Sequence, residues 1–219
     1  MTTALRPLGA GPERLTDHLR ERRSISVFDA SHTLTSTEIA ALLQAAQWAP
    51  SAGNGQPWSF IVAERGSRAH DVLVRHLSRG NAGWVPRASA VVLAAAQTAP
   101  DADGNGPAWP SYSFYDLGQA AAHLTVQAAA LGLWVHQFAG FDAAAVATEL
   151  GVPEHFQLLT GIAVGVPGDA AEVSPEDAAR DRRDRSRKPL EQFAYADRWG
   201  QPWRPADPDD PADSDDSAA

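Results

Sequence analysis

Stretches in which apolar residues recur every three or four positions alternate along this chain with short uninterrupted apolar runs. The former read as amphipathic helices and the latter as buried strands. A first helix is expected over 13–22, where Leu15 and Leu19 stand four apart. Thr35-Ser-Thr-Glu38 has the form of a capping box, since Glu38 can reach back to the Thr35 amide. Ile39, Leu42, Leu43 and Ala46 then repeat at helical spacing until Pro50 stops the run. Further helices are expected over 67–77, on Val72, Leu73 and Leu77, and over 114–131, where Leu117, Leu124, Ala128 and Leu131 make one stripe closed by Gly132. A short helix over 142–150 ends at Gly151. Strands are expected over 58–63, 88–96, 133–138 and 158–166. This order predicts an α+β or α/β domain around one sheet.

Two segments break the pattern. Residues 98–113, rich in Pro, Gly and Asp, are long enough to serve as a lid or binding loop. Residues 172–184 mix acidic and basic side chains without an apolar stripe, which predicts a polar segment crossing a surface, that of a partner subunit included. By domain, 1–11 reads as a flexible start, 12–200 as one domain, and 201–219 as an acidic, disordered tail.

Composition narrows the chemistry. The 219 residues include no cysteine, which excludes disulfides, thiolate metal sites and cysteine nucleophiles and suits a reducing compartment. Of the net charge of −9, residues 204–219 carry six aspartates against one arginine. The body is therefore mildly acidic, which argues against nucleic acid and against anionic membrane surfaces. No run reaches membrane-spanning length, and residues 1–11 show no secretory signal; a soluble cytoplasmic protein is expected. Gly161-Ile-Ala-Val-Gly165-Val-Pro-Gly168 resembles a nucleotide loop only superficially, because no helix opens after it. His70 and His76, or His123 and His136, lack the spacing of a metal pair on one helix face, so no metal site is expected. His136, just ahead of Ala139 and Gly140, is a candidate by position alone.

Three separated segments carry candidate chemistry. Arg22-Arg23-Ser24-Ile25-Ser26 and Arg185-Ser186-Arg187-Lys188 combine cations with hydroxyls, a set suited to a phosphate monoester. Arg22 and Arg23 equally suit the C-terminal end of their own helix. Pro50-Ser51-Ala52-Gly53-Asn54-Gly55-Gln56-Pro57-Trp58 sets a hydroxyl and two amides among glycines that permit close backbone approach. An ordinary helix-to-strand loop would explain the glycines and prolines, though not the clustered Ser, Asn and Gln.

Taken in order, Arg-Arg-Ser-x-x-x-Phe (22–28), Ala-Pro-Ser-Ala-x-Asn-x-Gln-Pro-Trp (49–58), Leu-Gly-Leu (131–133), Gly-Phe-Asp (140–142) and the late Arg-x-Arg (185–187) resemble the FMN-dependent nitroreductase family, over about 22–190 of the chain. The resemblance implies an α+β fold, a three-layer α/β/α arrangement with a central, mostly antiparallel sheet, in an interlocked homodimer with FMN at the subunit interface. It implies that Arg22, Arg23 and Ser24 bind the flavin's phosphate and ring edge, with Arg185 and Arg187 completing the phosphate site. Pro50, Ser51 and Asn54 would reach the same flavin from the partner subunit, with Gln56 close by. Ala139 and Gly140 would offer a backbone amide to flavin N5, where hydride arrives. Ser26 stands where the family often has a basic residue, which predicts less positive charge beside the reduced flavin and a lower potential.

By the same resemblance no side chain need act as a catalytic base, since the flavin carries the chemistry. NADH or NADPH would reduce it and leave, and a nitroaromatic, quinone or related small-molecule acceptor would then enter the same pocket. Trp109, Tyr112, Phe114 and Tyr115 are the candidate pocket wall, or equally an aromatic satellite cluster. None of the 17 arginines is singled out for a 2′-phosphate, so both donors stand. Two alternatives also stand: a specialised member of the fold (dehalogenase, azoline dehydrogenase or flavin-fragmenting enzyme), or a flavin-binding protein with little turnover.

Overall fold

The strand β2 (Ala90–Gln97) is buried along almost its whole length and divides the core in two. Its side chains alternate between faces, Val91, Leu93 and Ala95 joining one apolar cluster and Val92, Ala94 and Ala96 the other. Small alanines let helices approach both faces. In the computed structural model, which describes residues 15–204, β2 pairs antiparallel with β1 (Trp58–Glu64) and β4 (Phe156–Gly165), and β3 (Trp134–Phe138) closes the far edge. The order is β1-β2-β4-β3, with every pairing antiparallel. A bulge at Ala94/Ala95 leaves Leu159 without a partner in register and turned outward, 41% exposed.

On one face lie α2 (Ser36–Gln47) and α4 (Ser113–Ala130), through Leu42, Ala46, Leu117, Leu124 and Ala128. On the other lie α3 (Arg68–Arg75) and α5 (Ala143–Leu150), through Val72, Leu73 and Val146. Helices therefore cover both sides of the sheet, the three-layer arrangement expected. The helix ends follow local chemistry. The Thr35–Glu38 capping box is present in full; Ser67 and Asp142 cap α3 and α5; Gly132 and Gly151 close α4 and α5 with left-handed backbone.

Several expectations are corrected. The first helix, α1, spans only Asp17–Glu21, and its expected residues 13 and 14 lie outside the described residues. Leu131 leaves the α4 stripe, being the exposed C-cap residue rather than a core position. Within 172–184 a helix forms, α6 (Pro175–Asp181), with Ser174 as N-cap, Pro175 in the first turn and Ala178 buried. A single buried alanine produces no visible stripe, yet Ser-Pro-Glu-Asp is an N-terminal signature that marks it. The glycines at 161, 165 and 168 serve packing: a side chain there would strike the Phe138 ring, Phe28 and Ser89, or the Phe28 backbone.

The chain divides into two compact units, Met1–Arg183 and Asp184–Ala219. The second contains one turn of 3₁₀ helix at Leu190–Gln192, a Tyr195–Pro202 bridge, and a Tyr195–Trp199 ring pair with centroids 4.9 Å apart. The flexible start expected over 1–11, and residues 205–219 of the expected tail, lie outside the described residues. Among the described residues no helix is long and apolar enough to cross a membrane.

Candidate functional site

The segment after α1 is held by its backbone. Asp181, the last residue of α6, accepts from the Ser26 amide at 2.7 and 2.9 Å and from the Val27 amide at 2.9 Å. His136 on β3 donates from Nδ1 to the Ile25 carbonyl at 2.8 Å; a carbonyl only accepts, so this nitrogen carries the proton. Arg23 donates to the Arg183 carbonyl, and Arg22 to the Ser24 hydroxyl at 3.3 Å. Arg23 thus serves α6 rather than the end of its own helix. Ser24 is exposed and its hydroxyl can still donate. A cleft of about 210 Å³ opens here, lined by Arg22 and Arg23 with His18, Glu21, Thr125 and Trp134 among others. Glu21 puts one negative charge beside the two arginines.

Ser26 is fully buried, its amide is taken by Asp181, and among the described residues its hydroxyl has no partner. Its side chain does not reach the surface that Arg22, Arg23 and Ser24 share.

Ala139 and Gly140 follow β3 and are fixed from below. The Gly140 carbonyl accepts from the Ser78 amide at 2.9 Å and from Asn81 Nδ2 at 3.1 Å. The Gly140 N–H belongs to the preceding peptide, whose Ala139 carbonyl accepts from the Phe141 amide at 3.0 Å; among the described residues this N–H donates to no group. Asn81 Oδ1 in turn accepts from Trp84 Nε1 at 3.1 Å. Trp84 stacks on His136 at 4.3 Å between centroids, and His136 holds Ile25. One continuous chain of contacts therefore joins the Gly140 loop to the Arg22–Ser26 segment. Burial pushes the His136 imidazole below its ordinary value, outweighing the upward pull of the Ile25 carbonyl and Asp181. Neither Asn81 nor Asp181 belongs to a motif, so the sequence pattern did not mark them. Their partners stand 59 and 155 positions away.

The loop at 50–56 is built on local bonds. Asn54 and Gly55 donate to the Ser51 and Ala52 carbonyls, each at 3.0 Å, and Gln56 donates to the Ser51 hydroxyl at 3.1 Å. Gly53, Asn54 and Gln56 all have positive φ, at 56°, 57° and 44°, a backbone that costs about 1–3 kcal/mol at each non-glycine position. Gln56 Nε2 faces Asn54 Oδ1 at 3.2 Å, which leaves Asn54 Nδ2 as an outward donor. The first half of α4 supports the loop: buried Asp116 accepts from the Ala52 amide at 3.1 Å, and Gln119 donates to the Pro50 carbonyl at 3.5 Å. Trp109 packs against Gly53. Tyr112 and Tyr115 form an edge-to-face pair at 6.0 Å, and with Trp109 and Phe114 remain exposed.

Within one chain the two candidate clusters stay apart. The loop meets α4 at Asp116, and the arginine cleft meets it at Thr125. Those positions are roughly 14 Å apart along a helix axis. Arg185 and Arg187 belong to the second unit, where Arg187 donates to the Ser186 carbonyl at 2.7 Å. Among the described residues no cluster of three or more His, Asp or Glu could hold a metal.

Comparison with known proteins bears on the family and the fold. A family model described as the Nitroreductase family matches residues 19–78 and 66–166. An uncharacterized 15.4 kDa protein of Mycolicibacterium smegmatis is 36% identical over 151 residues, covering 65% of this chain and 98% of that one. A protein of Archaeoglobus fulgidus, provisionally named NADH dehydrogenase/NAD(P)H nitroreductase, is 28% identical over 165 residues, 71% of this chain and 87% of its own. A solved structure of an oxidoreductase containing FMN superposes with a TM-score of 0.80 at 28% identity, covering 92% of this chain and 100% of that one. With its central antiparallel sheet, its helices on both faces and a family match across most of the first unit, the chain belongs to the Nitroreductase family.

Proposed function

We propose that the protein is a flavin oxidoreductase that holds FMN between two copies of the chain and uses NADH or NADPH to reduce nitroaromatic, quinone or related small-molecule acceptors. The observation that carries this reading is Gly140, whose carbonyl is held twice while its N–H is left without an acceptor. A backbone N–H left without an acceptor in a bonded turn stabilises an electron-rich atom with little reorganisation. Flavin N5 is such an atom. The likeness to an FMN-containing oxidoreductase supports the same cofactor.

When bound, FMN supplies the hydride chemistry, taking it from the nicotinamide and passing electrons to the acceptor. The chain's own groups bind and orient it. Arg22, Arg23 and Ser24 offer cationic and hydroxyl donors to the phosphate and ring edge, and motif order assigns Arg185 and Arg187 to the same phosphate. Ala139 and Gly140 face the ring. Pro50, Ser51, Asn54 and Gln56 approach from the partner copy, a division supported by the separation of the two clusters along α4. Asn54 enters as a donor, because Gln56 occupies its oxygen. Trp109, Tyr112, Phe114 and Tyr115 wall the acceptor's side. The absence of cysteine suits a cytoplasmic setting.

The test is the visible spectrum of the purified protein, before and after heat release of ligand. Flavin bands, about one FMN released per subunit and bleaching on anaerobic addition of NADH or NADPH are expected. A colourless protein that fails to take up added FMN overturns the proposal.

A further inference from the structure

The turn at Gly53–Asn54 depends on something outside itself. Its hydrogen bonds are all local: among the described residues, none joins Gly53, Asn54 or Gly55 to another element of the fold. Asp116 and Gln119 hold only the rising limb, at Ala52 and Pro50. Yet the apex carries consecutive left-handed residues, Gly53 and Asn54, followed by Gln56. Left-handed backbone at Asn54 and Gln56 costs free energy that Gly53 does not incur, so contacts that hold these residues in place count.

Trp109 supplies the missing support. A β-carbon placed on Gly53 would lie 2.2 Å from Cζ3, 2.9 Å from Cη2 and 3.2 Å from Cε3 of its indole. The ring edge therefore occupies the side-chain volume that the glycine leaves empty. The base of Trp109 is itself fixed. It precedes the 3₁₀ turn Pro110–Tyr112, and the segment before it is pinned where Asp101 accepts from the Asp103 and Asn105 amides and Gln97 donates to the Ala99 and Asn105 carbonyls. The indole is 52% exposed, so it is not a core residue whose loss would unfold the domain.

We infer that Trp109 is a positioning residue for the flavin-binding loop: its ring edge, seated on Gly53, holds Ser51 and Asn54 in the conformation that meets the cofactor. The inference rests on the proposed flavin site and gives the 98–113 segment a second task besides walling the acceptor. A residue acting only as a wall alters the acceptor's KM and leaves the free loop and cofactor affinity alone.

The experiment compares full-length wild type, Trp109→Ala and Trp109→Phe by FMN titration and by amide hydrogen exchange of the flavin-free proteins. Trp109→Ala should raise the FMN dissociation constant about tenfold or more and speed exchange at residues 53–56 selectively. Trp109→Phe, which keeps a ring edge over Gly53, should recover most of both. FMN affinity for Trp109→Ala within about twofold of wild type overturns the inference, whatever happens to acceptor KM. Wild type failing to bind FMN defeats the flavin reading instead, and the exchange comparison then decides the clamp alone: unchanged exchange at 53–56 overturns it.

Discussion

Asn81 shows how much of this site is set by single polar side chains. Its Nδ2 holds the Gly140 carbonyl and its Oδ1 accepts from the indole of Trp84, which is 1% exposed. The two roles can be separated. Asn81→Asp keeps an acceptor for Trp84 and removes the donor to Gly140, so flavin affinity should fall while thermal stability changes little. Asn81→Ala removes both, leaves a buried N–H unpaired, and should cost a further 1–3 kcal/mol, roughly; denaturant unfolding of the two variants checks the difference. At this scale the sequence was partly legible. Arg22, Arg23, Ser24, Ser51, Asn54 and Gln56 could be singled out because side-chain chemistry clusters along the chain. Asn81, Asp116 and Asp181 act across long sequence separations on backbone groups, and a residue that binds peptide bonds has no pattern of its own. The burial of Ser26 was hidden for the converse reason: its place in a motif says nothing of how deep its side chain lies.

Elements were easier to read, because their ends are decided locally. Thr35 with Glu38, Ser67, Asp142 and the glycines at 132 and 151 mark helix boundaries through bonds made within a few residues. Strand pairing and the bulge at Ala94/Ala95 were not visible, since each depends on what lies opposite, and the short α6 was marked only at its start, by Ser174, Pro175 and the acidic pair that follows. Gly161 illustrates the point. It sits directly across from Phe138 in the β3–β4 ladder, and an added β-carbon would come within 2.4 Å of the ring. Gly161→Ala should therefore destabilise the protein by about 1–3 kcal/mol through overpacking. Pairing it with Phe138→Leu should return part of that loss, because the two changes share one contact. Thermal melts of the single and double variants measure both effects.

For the whole molecule the alternation of helices and strands was enough to foresee one sheet, and the ordered motifs carried the family and, with it, the helices on both sides. That the two candidate clusters serve different copies followed from the resemblance alone; their spacing along α4 depends on packing and was not visible. The buried His70 and the half-buried His136 also act at this scale. Desolvation lowers His70, ahead of the opposing effect of Asp71, and likewise lowers His136. The unfolded chain therefore takes up protons near pH 6.5 that the folded one resists, so this part of the stability is present above about pH 6.5 and lost as pH falls toward the depressed folded values. The midpoint of thermal unfolding for wild type, relative to a His70→Gln/His136→Gln double variant, should fall between pH 7.5 and 5. The comparison cancels the acid-side relief of the overall −9 charge, and parallel curves would refute it.

The distance between Asp116 and Thr125 along α4 has a consequence for how the protein keeps its ligand. With half of the proposed contacts on each copy, neither half alone retains a small molecule well, and occupancy becomes tied to self-association through mass action. On the proposed site, cofactor retention depends on protein concentration: dilution should release the flavin, and saturating ligand should hold the two copies together.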